Sequence, residues 1–259
     1  MKKKLNVFAN AAVASAVLVG GVAVGGVNVF AEEGAADEGN KEYQSNAIVE
    51  FEPSTDKTDP TDPNDPDGKP VGPIDPTDPD GPKPGTDGPL SIDYASSLDF
   101  GKQKITSADE VYTAKAQKFT ELADGPNYVQ VTDNRGTESG WTLKVKQEAQ
   151  FKTADGKELT GAAITFTNGV VNTVSESPKP SIFANKVTLV PGTEASMLAA
   201  KDGEGAGTHV LAFGNNDTAA ESIKLAVPGK STKYAKKYST QLTWTLSDTP
   251  GADAAEGNE

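Results

Sequence analysis

The sequence predicts an all-β, sandwich-like domain preceded by an export signal and an acidic, proline-rich linker. Three observations carry the fold class. From Leu90 onward, Thr, Val, Ile and aromatic residues alternate with polar ones in short runs, the period of a half-buried strand. Clusters of Gly, Asn, Asp and Pro punctuate the runs. No long stretch has a 3.6-residue period.

The chain opens with Lys2, Lys3 and Lys4, followed by an apolar run ending at Val29-Phe30-Ala31. A positive n-region, an apolar stretch and small residues at the −3 and −1 positions predict a signal peptide over residues 1–31, cleaved after Ala31. Such a mature form carries no membrane segment. The linker spans residues 32–89, and its section from Pro53 to Pro89 holds 11 of the 17 prolines and repeats Asp-Pro five times. Proline removes amide donors and fixes φ, and like charges repel, so this region reads as a disordered, extended tether. No EF-hand spacing organises its aspartates for calcium.

The body spans residues 90–250. Strand runs are expected at Tyr112 to Phe119, Tyr128 to Thr132, Trp141 to Lys146, Ala162 to Thr167, Phe183 to Val190, Thr208 to Phe213, Ile223 to Val227 and Thr240 to Leu246. Turn signals between them include "ADGPN", "DNRG", "TNG", "VPG" and "KDGEGAG". More than seven strands suit a sandwich. "EASMLAAK" reads as a short helix. Residues 251–259 form a short acidic tail with no sortase-type Leu-Pro-x-Thr-Gly signal, which suggests non-covalent retention on the cell.

Charge is unevenly placed. The chain totals −13, but residues 32–89 hold 16 acidic and 4 basic residues, while residues 90–250 hold 18 and 17. A near-neutral body can approach an anionic bacterial wall, whereas nucleic-acid binding is disfavoured by the acidic balance. Lys230, Lys233, Lys236 and Lys237 cluster in "GKSTKYAKKY" and are candidate contacts to an anionic polymer. No cysteine is present, so no disulfide supports the fold.

Catalytic signals are missing. The one histidine, His209, sits in a strand-like run, where a packing role is the ordinary one. No nucleophile elbow, zinc motif, phosphate loop or cofactor fingerprint occurs. The reading is therefore of a non-enzyme without cofactor or metal.

The only two tryptophans stand in matching frames, "GWTLKV" at Trp141 and "YSTQLTWTLSDTP" at Trp244. In a strand, Trp141, Leu143 and Val145 share one face, and Leu242, Trp244 and Leu246 share another, opposite Thr243, Thr245 and Ser247. An apolar face opposite a polar one reads as a core anchor. Exposed indoles stacking on sugar rings are the alternative.

The second frame resembles the distal motif of the WxL domain, a C-terminal surface domain of low-GC Gram-positive bacteria. Tyr238, Leu242, Thr243, Trp244, Leu246 and Pro250 fit the pattern Tyr-x-x-x-Leu-Thr-Trp-x-Leu-x-x-x-Pro. Trp141 and Leu143 match the upstream motif, and Leu98-Asp99-Phe100-Gly101 matches the start of the domain. The resemblance implies non-covalent attachment to the cell wall, with peptidoglycan or another wall polymer as ligand. It also implies assembly with other WxL-family and sortase-anchored surface proteins. A subunit that binds only protein partners is the alternative function, with Asn46 to Phe51, "NAIVEF", as a docking strand.

Overall fold

The computed structural model describes residues 41–66 and 69–252; the expected signal peptide and residues 253–259 of the acidic tail lie outside the described residues. Two compact units divide the chain, Met1–Val49 and Glu50–Glu259. The described part of the first, residues 41–49, is exposed and has no regular structure.

The second unit is all-β, as the alternating runs predict. Among the described residues its fourteen strands are β1 (Pro73–Ile74), β2 (Leu90–Ala95), β3 (Glu110–Thr113), β4 (Lys118–Phe119), β5 (Asn127–Asp133), β6 (Trp141–Gln147), β7 (Ala163–Thr167), β8 (Gly169–Thr173), β9 (Ile182–Phe183), β10 (Lys186–Thr188), β11 (Glu194–Ala200), β12 (Gly207–Phe213), β13 (Ile223–Val227) and β14 (Leu242–Ser247). They form three four-stranded sheets, ordered β2-β5-β12-β8, β14-β6-β11-β9 and β10-β7-β13-β3, and a ribbon of β1 with β4. Every strand pair is antiparallel.

One core lies between the three sheets. Trp141, Leu143 and Val145 of β6 meet Val129 and Val131 of β5, Ile164 and Phe166 of β7, Leu211 and Phe213 of β12, and Ile223 and Leu225 of β13. Full burial of an apolar side chain contributes roughly 1.5–3 kcal/mol, so this cluster is what holds a disulfide-free domain together.

Runs that read as single strands turn corners between sheets. Tyr112 to Phe119 divides into β3 and β4, and Phe183 to Val190 divides into β9 and β10, each pair in different sheets. Asn168, at φ 57°, makes the corner between β7 and β8, where its amide donates to Ser222 Oγ.

"EASMLAAK" is a strand, not a helix. β11 is central in its sheet, bonded to β6 on one side and β9 on the other, with a bulge between Ser196 and Leu198. Ala, Met and Leu favour helix locally, but two ladders outweigh a propensity worth a few tenths of a kcal/mol per residue.

Every residue of β5 is buried, although one face alone meets the main core. The other face carries Tyr128 and Gln130 and is covered by residues 59–66 and 69–74, part of the segment read from composition as an extended tether. Proline lacks an amide donor but keeps its carbonyl acceptor, and the body supplies side-chain amides to reach such carbonyls. Gln130 Nε2 donates to Asp59 O at 2.9 Å, Asn172 Nδ2 to Pro63 O at 2.7 Å, and Gln117 Nε2 to Ile74 O at 2.9 Å.

Candidate functional site

The two tryptophan frames are neighbours in space. β14 pairs antiparallel with β6, placing Leu246 opposite Leu143, Trp244 opposite Val145 and Leu242 opposite Gln147. All the apolar residues of both motifs therefore point to the same side of the sheet.

Their environments differ. Trp141 is 0 % exposed, and its Nε1 donates to Gly205 O at 2.9 Å. The loop can come this close because Gly205 has φ +83°, and an added Cβ would lie 2.7 Å from Trp141 Nε1. Leu143 is also fully buried. Neither side chain has a face open to a ligand. Trp244, Leu242 and Leu246 are half-buried against the same core, because β14 is the edge strand of its sheet. The Trp244 ring meets Phe166 edge-on, centroids 6.5 Å apart.

Trp244 faces a groove. A cleft of about 570 Å³ is lined by Ile92, Leu98, Phe100, Phe151, Leu242 and Trp244, and by Asp75, Thr77, Asp78 and residues 82–86. Phe100 and Phe151, packed edge-on at 6.4 Å, also line a wider cleft of about 1460 Å³, so the two form one path over the surface.

The wider cleft is basic. Lys102, Lys104, Lys115, Lys233, Lys236 and Lys237 line it, against Asp99 as the one carboxylate, with Tyr112, Tyr234 and Tyr238 among them. In a chain of net charge −13, a groove with six lysines is a local inversion of potential.

The lysines are not equivalent. Lys115 is bound to Asp99 at 2.7 Å, a contact that holds the Asp99 carboxyl below its usual range. Lys236 is bound to Asp155 at 2.8 Å, and that hydrogen bond holds the Asp155 carboxyl down at about 2. Lys233 Nζ donates to three main-chain carbonyls, Pro228, Gly229 and Ser231, so it ties its own loop together. Lys230 is exposed and is not part of the cleft wall. Lys102, Lys104 and Lys237 are exposed at the cleft.

Of the residues singled out from sequence, Trp244, Leu242, Tyr238, Lys233, Lys236 and Lys237 come together along this groove. The Tyr238 hydroxyl accepts from Tyr234 N at 2.9 Å and so fixes the lysine-bearing loop onto the start of the second motif. Pro250 lies exposed where the chain leaves β14, just before Gly251 N donates to Ala200 O. Lys102, Lys104 and Lys115 escaped the sequence reading. Two of them directly follow Leu98-Asp99-Phe100-Gly101, and that adjacency was the available signal.

His209 is buried in β12, 6.2 Å from the Trp141 ring, with Nε2 at 3.0 Å from Ala206 O. Burial pushes its pKa down, which keeps it neutral and structural. Among the described residues no group of three or more His, Cys, Asp or Glu could hold a metal, and no helix is long and apolar enough to cross a membrane.

A family model described as the WxL domain, surface cell wall-binding, matches residues 38–250. No curated protein and no solved structure matches the chain.

Proposed function

From the premise that the chain belongs to the WxL family of surface cell-wall-binding domains, and so associates with the cell wall, we propose that the groove from Lys102 to Trp244 is where it grips wall polymer. The single observation that carries this is the continuity of a lysine-lined cleft with a cleft that ends on a half-buried indole. A glycan strand offers two chemistries that such a path accommodates. Its ring C–H faces suit aromatic surfaces such as Trp244 and Phe100. Its carboxylates, or the phosphates of attached polymers, suit Lys102, Lys104 and Lys237. The ligand proposed is peptidoglycan, with the lysines gathering anionic groups along it.

The test is co-sedimentation of the protein with purified sacculi, before and after stripping of anionic polymers, across a salt series. Binding that survives both stripping and salt supports peptidoglycan recognition along the Trp244 half of the groove. Binding lost on stripping transfers recognition to the lysines and the anionic polymer, since exposed charges are screened within about 8 Å at physiological salt. No binding in either preparation removes the groove reading.

A second reading rests on a separate observation. Tyr43, Ile48 and Phe51 are almost wholly exposed, and Val49 is largely so. An apolar, proline-free stretch suits addition to the sheet edge of another surface protein. The protein would then serve as a subunit of a surface complex, and its binding to bare sacculi would be weak.

A further inference from the structure

The outer face of the β2-β5-β12-β8 sheet has the features of a peptide-binding site, and the Asp-Pro segment fills it. Tyr94, Phe119, Tyr128, Val210 and Ala212 make a buried apolar floor distinct from the main core, with Val71 seated on it. The Tyr94 and Tyr128 rings lie 4.8 Å apart, and Phe119 stacks on Tyr128 at 6.2 Å. Pro63, Pro66 and Pro73 of the segment are buried. Aromatic floors beneath prolines are a recurring way to hold proline-rich chains, because prolines bury apolar surface with little entropy left to lose.

Polar readers rise from the floor. Gln130 is 0 % exposed and grips the segment's main chain from both ends of its amide: Nε2 donates to Asp59 O, and Oε1 accepts from Thr61 N at 2.8 Å and from Thr61 Oγ1 at 3.1 Å. Its orientation is imposed from below. Asp93 Oδ2 accepts from Gln130 Nε2 at 3.0 Å and from Thr132 Oγ1 at 2.6 Å, and Asp93 Oδ1 accepts from Ser91 Oγ at 2.7 Å. The Thr61 N–H can only donate and the Asp59 carbonyl can only accept, so the Gln130 carbonyl must face Thr61 and its NH₂ must face Asp59 O and Asp93. Asn172 and Gln117 take two further carbonyls, and Thr120 N donates to Gly72 O at 2.9 Å.

These contacts read main chain, buried prolines and the Thr61 and Val71 side chains, all of which a second copy of the segment carries. The segment's two described stretches meet, Val71 N donating to Pro60 O at 2.8 Å. It reaches β2 through residues 75–89, long enough to span roughly 50 Å if extended. The Tyr128 hydroxyl is buried with no partner among the described residues, so the segment leaves one donor of the groove unused.

We propose that this groove is a binding site for acidic Asp-Pro segments, loaded in cis by residues 59–66 and 69–74, and that it accepts the same segment from a second copy of the chain. In cis the short connection gives a high effective concentration, so exchange is silent in dilute solution and emerges where copies are crowded. The exchange joins copies without new surface on either.

The test uses the full chain with residues 59–74 replaced by Gly and Ser at equal length, titrated against a fluorescein-labelled peptide of residues 57–76. Saturable binding is expected, at least tenfold weaker to the intact chain, whose own segment competes, and at least fivefold weaker when Gln130→Leu is added. Circular dichroism checks the receptor. If the replacement does not fold, Thr61→Pro, which removes both groups that Gln130 accepts from, serves as the receptor instead. A folded receptor that ignores the peptide, equal binding by intact and opened chains, or indifference to Gln130→Leu overturns the proposal. A concentration-dependent dimer of the intact chain, reduced by Gln130→Leu, is expected in light scattering, and an unchanged monomer up to millimolar concentration overturns the second-copy exchange.

Discussion

Leu143 stands directly opposite Leu246 on neighbouring antiparallel strands. The two Trp-Thr-Leu frames thus run side by side in opposite directions, and the leucines mark their shared centre. Trp244 sits opposite Val145, four residues and about 13 Å from Trp141 along β6. One indole is thereby placed toward each end of a common apolar face. The Trp141 end closes on Gly205, and the Trp244 end opens on a groove. The same short motif sits in two environments because one copy lies on a central strand and the other on an edge.

That division predicts different fates for the two tryptophans. Trp141→Ala empties a fully buried site and should cost roughly 3–5 kcal/mol, enough to leave little folded protein. Trp244→Ala uncovers a half-buried site and should cost roughly 1–3 kcal/mol. Urea unfolding followed by tyrosine fluorescence and circular dichroism measures both. Sacculus binding by the Trp244 variant should fall further than its folded fraction. Equal losses of stability in the two variants would contradict the placement.

Gly205→Ala tests the same end from the backbone side. Its φ of +83° is costly for any L side chain, and the new Cβ would lie 2.5 Å from Ala200 Cβ and 2.7 Å from the indole nitrogen. Loss of about 2–4 kcal/mol is expected from overpacking and strain together. A thermal melt within a degree of the native chain's would show that the loop has room to move.

Much of this was legible in the chain. Alternation gave β6, β7 and β13 nearly to the residue, because each has one face on the core and one more open face, and the continuous apolar run of β12 gave a strand buried on both faces. Corners such as Ala184-Asn185 were not legible, since a run that changes sheets keeps its alternation. β11 misled because helix-favouring residues sat between two ladders that only the tertiary fold supplies. The lysine cleft was half visible: Lys236 and Lys237 stood in a cluster, but Lys102 and Lys104 join them from across the fold. The ordered seat of the Asp-Pro segment was hidden, because its partners, Gln130 and Asn172, lie 71 and 109 positions from the carbonyls they bind.

His209 should make stability depend on pH in the mildly acidic range. Burial lowers its folded pKa below 6.5, and the contact with Ala206 O only partly opposes this. Above about 6.5 both states are neutral there and the native state keeps its full advantage. As pH falls below that value the unfolded chain takes the proton first, so stability declines until the folded pKa is passed. Urea midpoints between pH 7.5 and 5 should fall in the native chain and fall less in His209→Gln. A native midpoint that rises over that range would reverse the sign.

Charge reversal separates the lysines that face the groove from those that build it. Lys102→Glu with Lys237→Glu should weaken binding to unstripped sacculi about tenfold, at about 0.7 kcal/mol for each exposed charge contact. It should also flatten the salt dependence, since fewer counter-ions are exchanged on binding. Lys230→Glu, outside the cleft wall, should change neither. Lys233→Gln removes donors from three loop carbonyls and should lower stability more than it changes binding by the folded fraction. The Asp155 carboxyl, held down at about 2 by Lys236, stays ionised between pH 7 and 4, so acidifying the assay over that range should not release Lys236 as a new contact. If Lys230→Glu proved as damaging as the double reversal, binding would track the net charge of the loop, and the groove would lose its claim to the polymer.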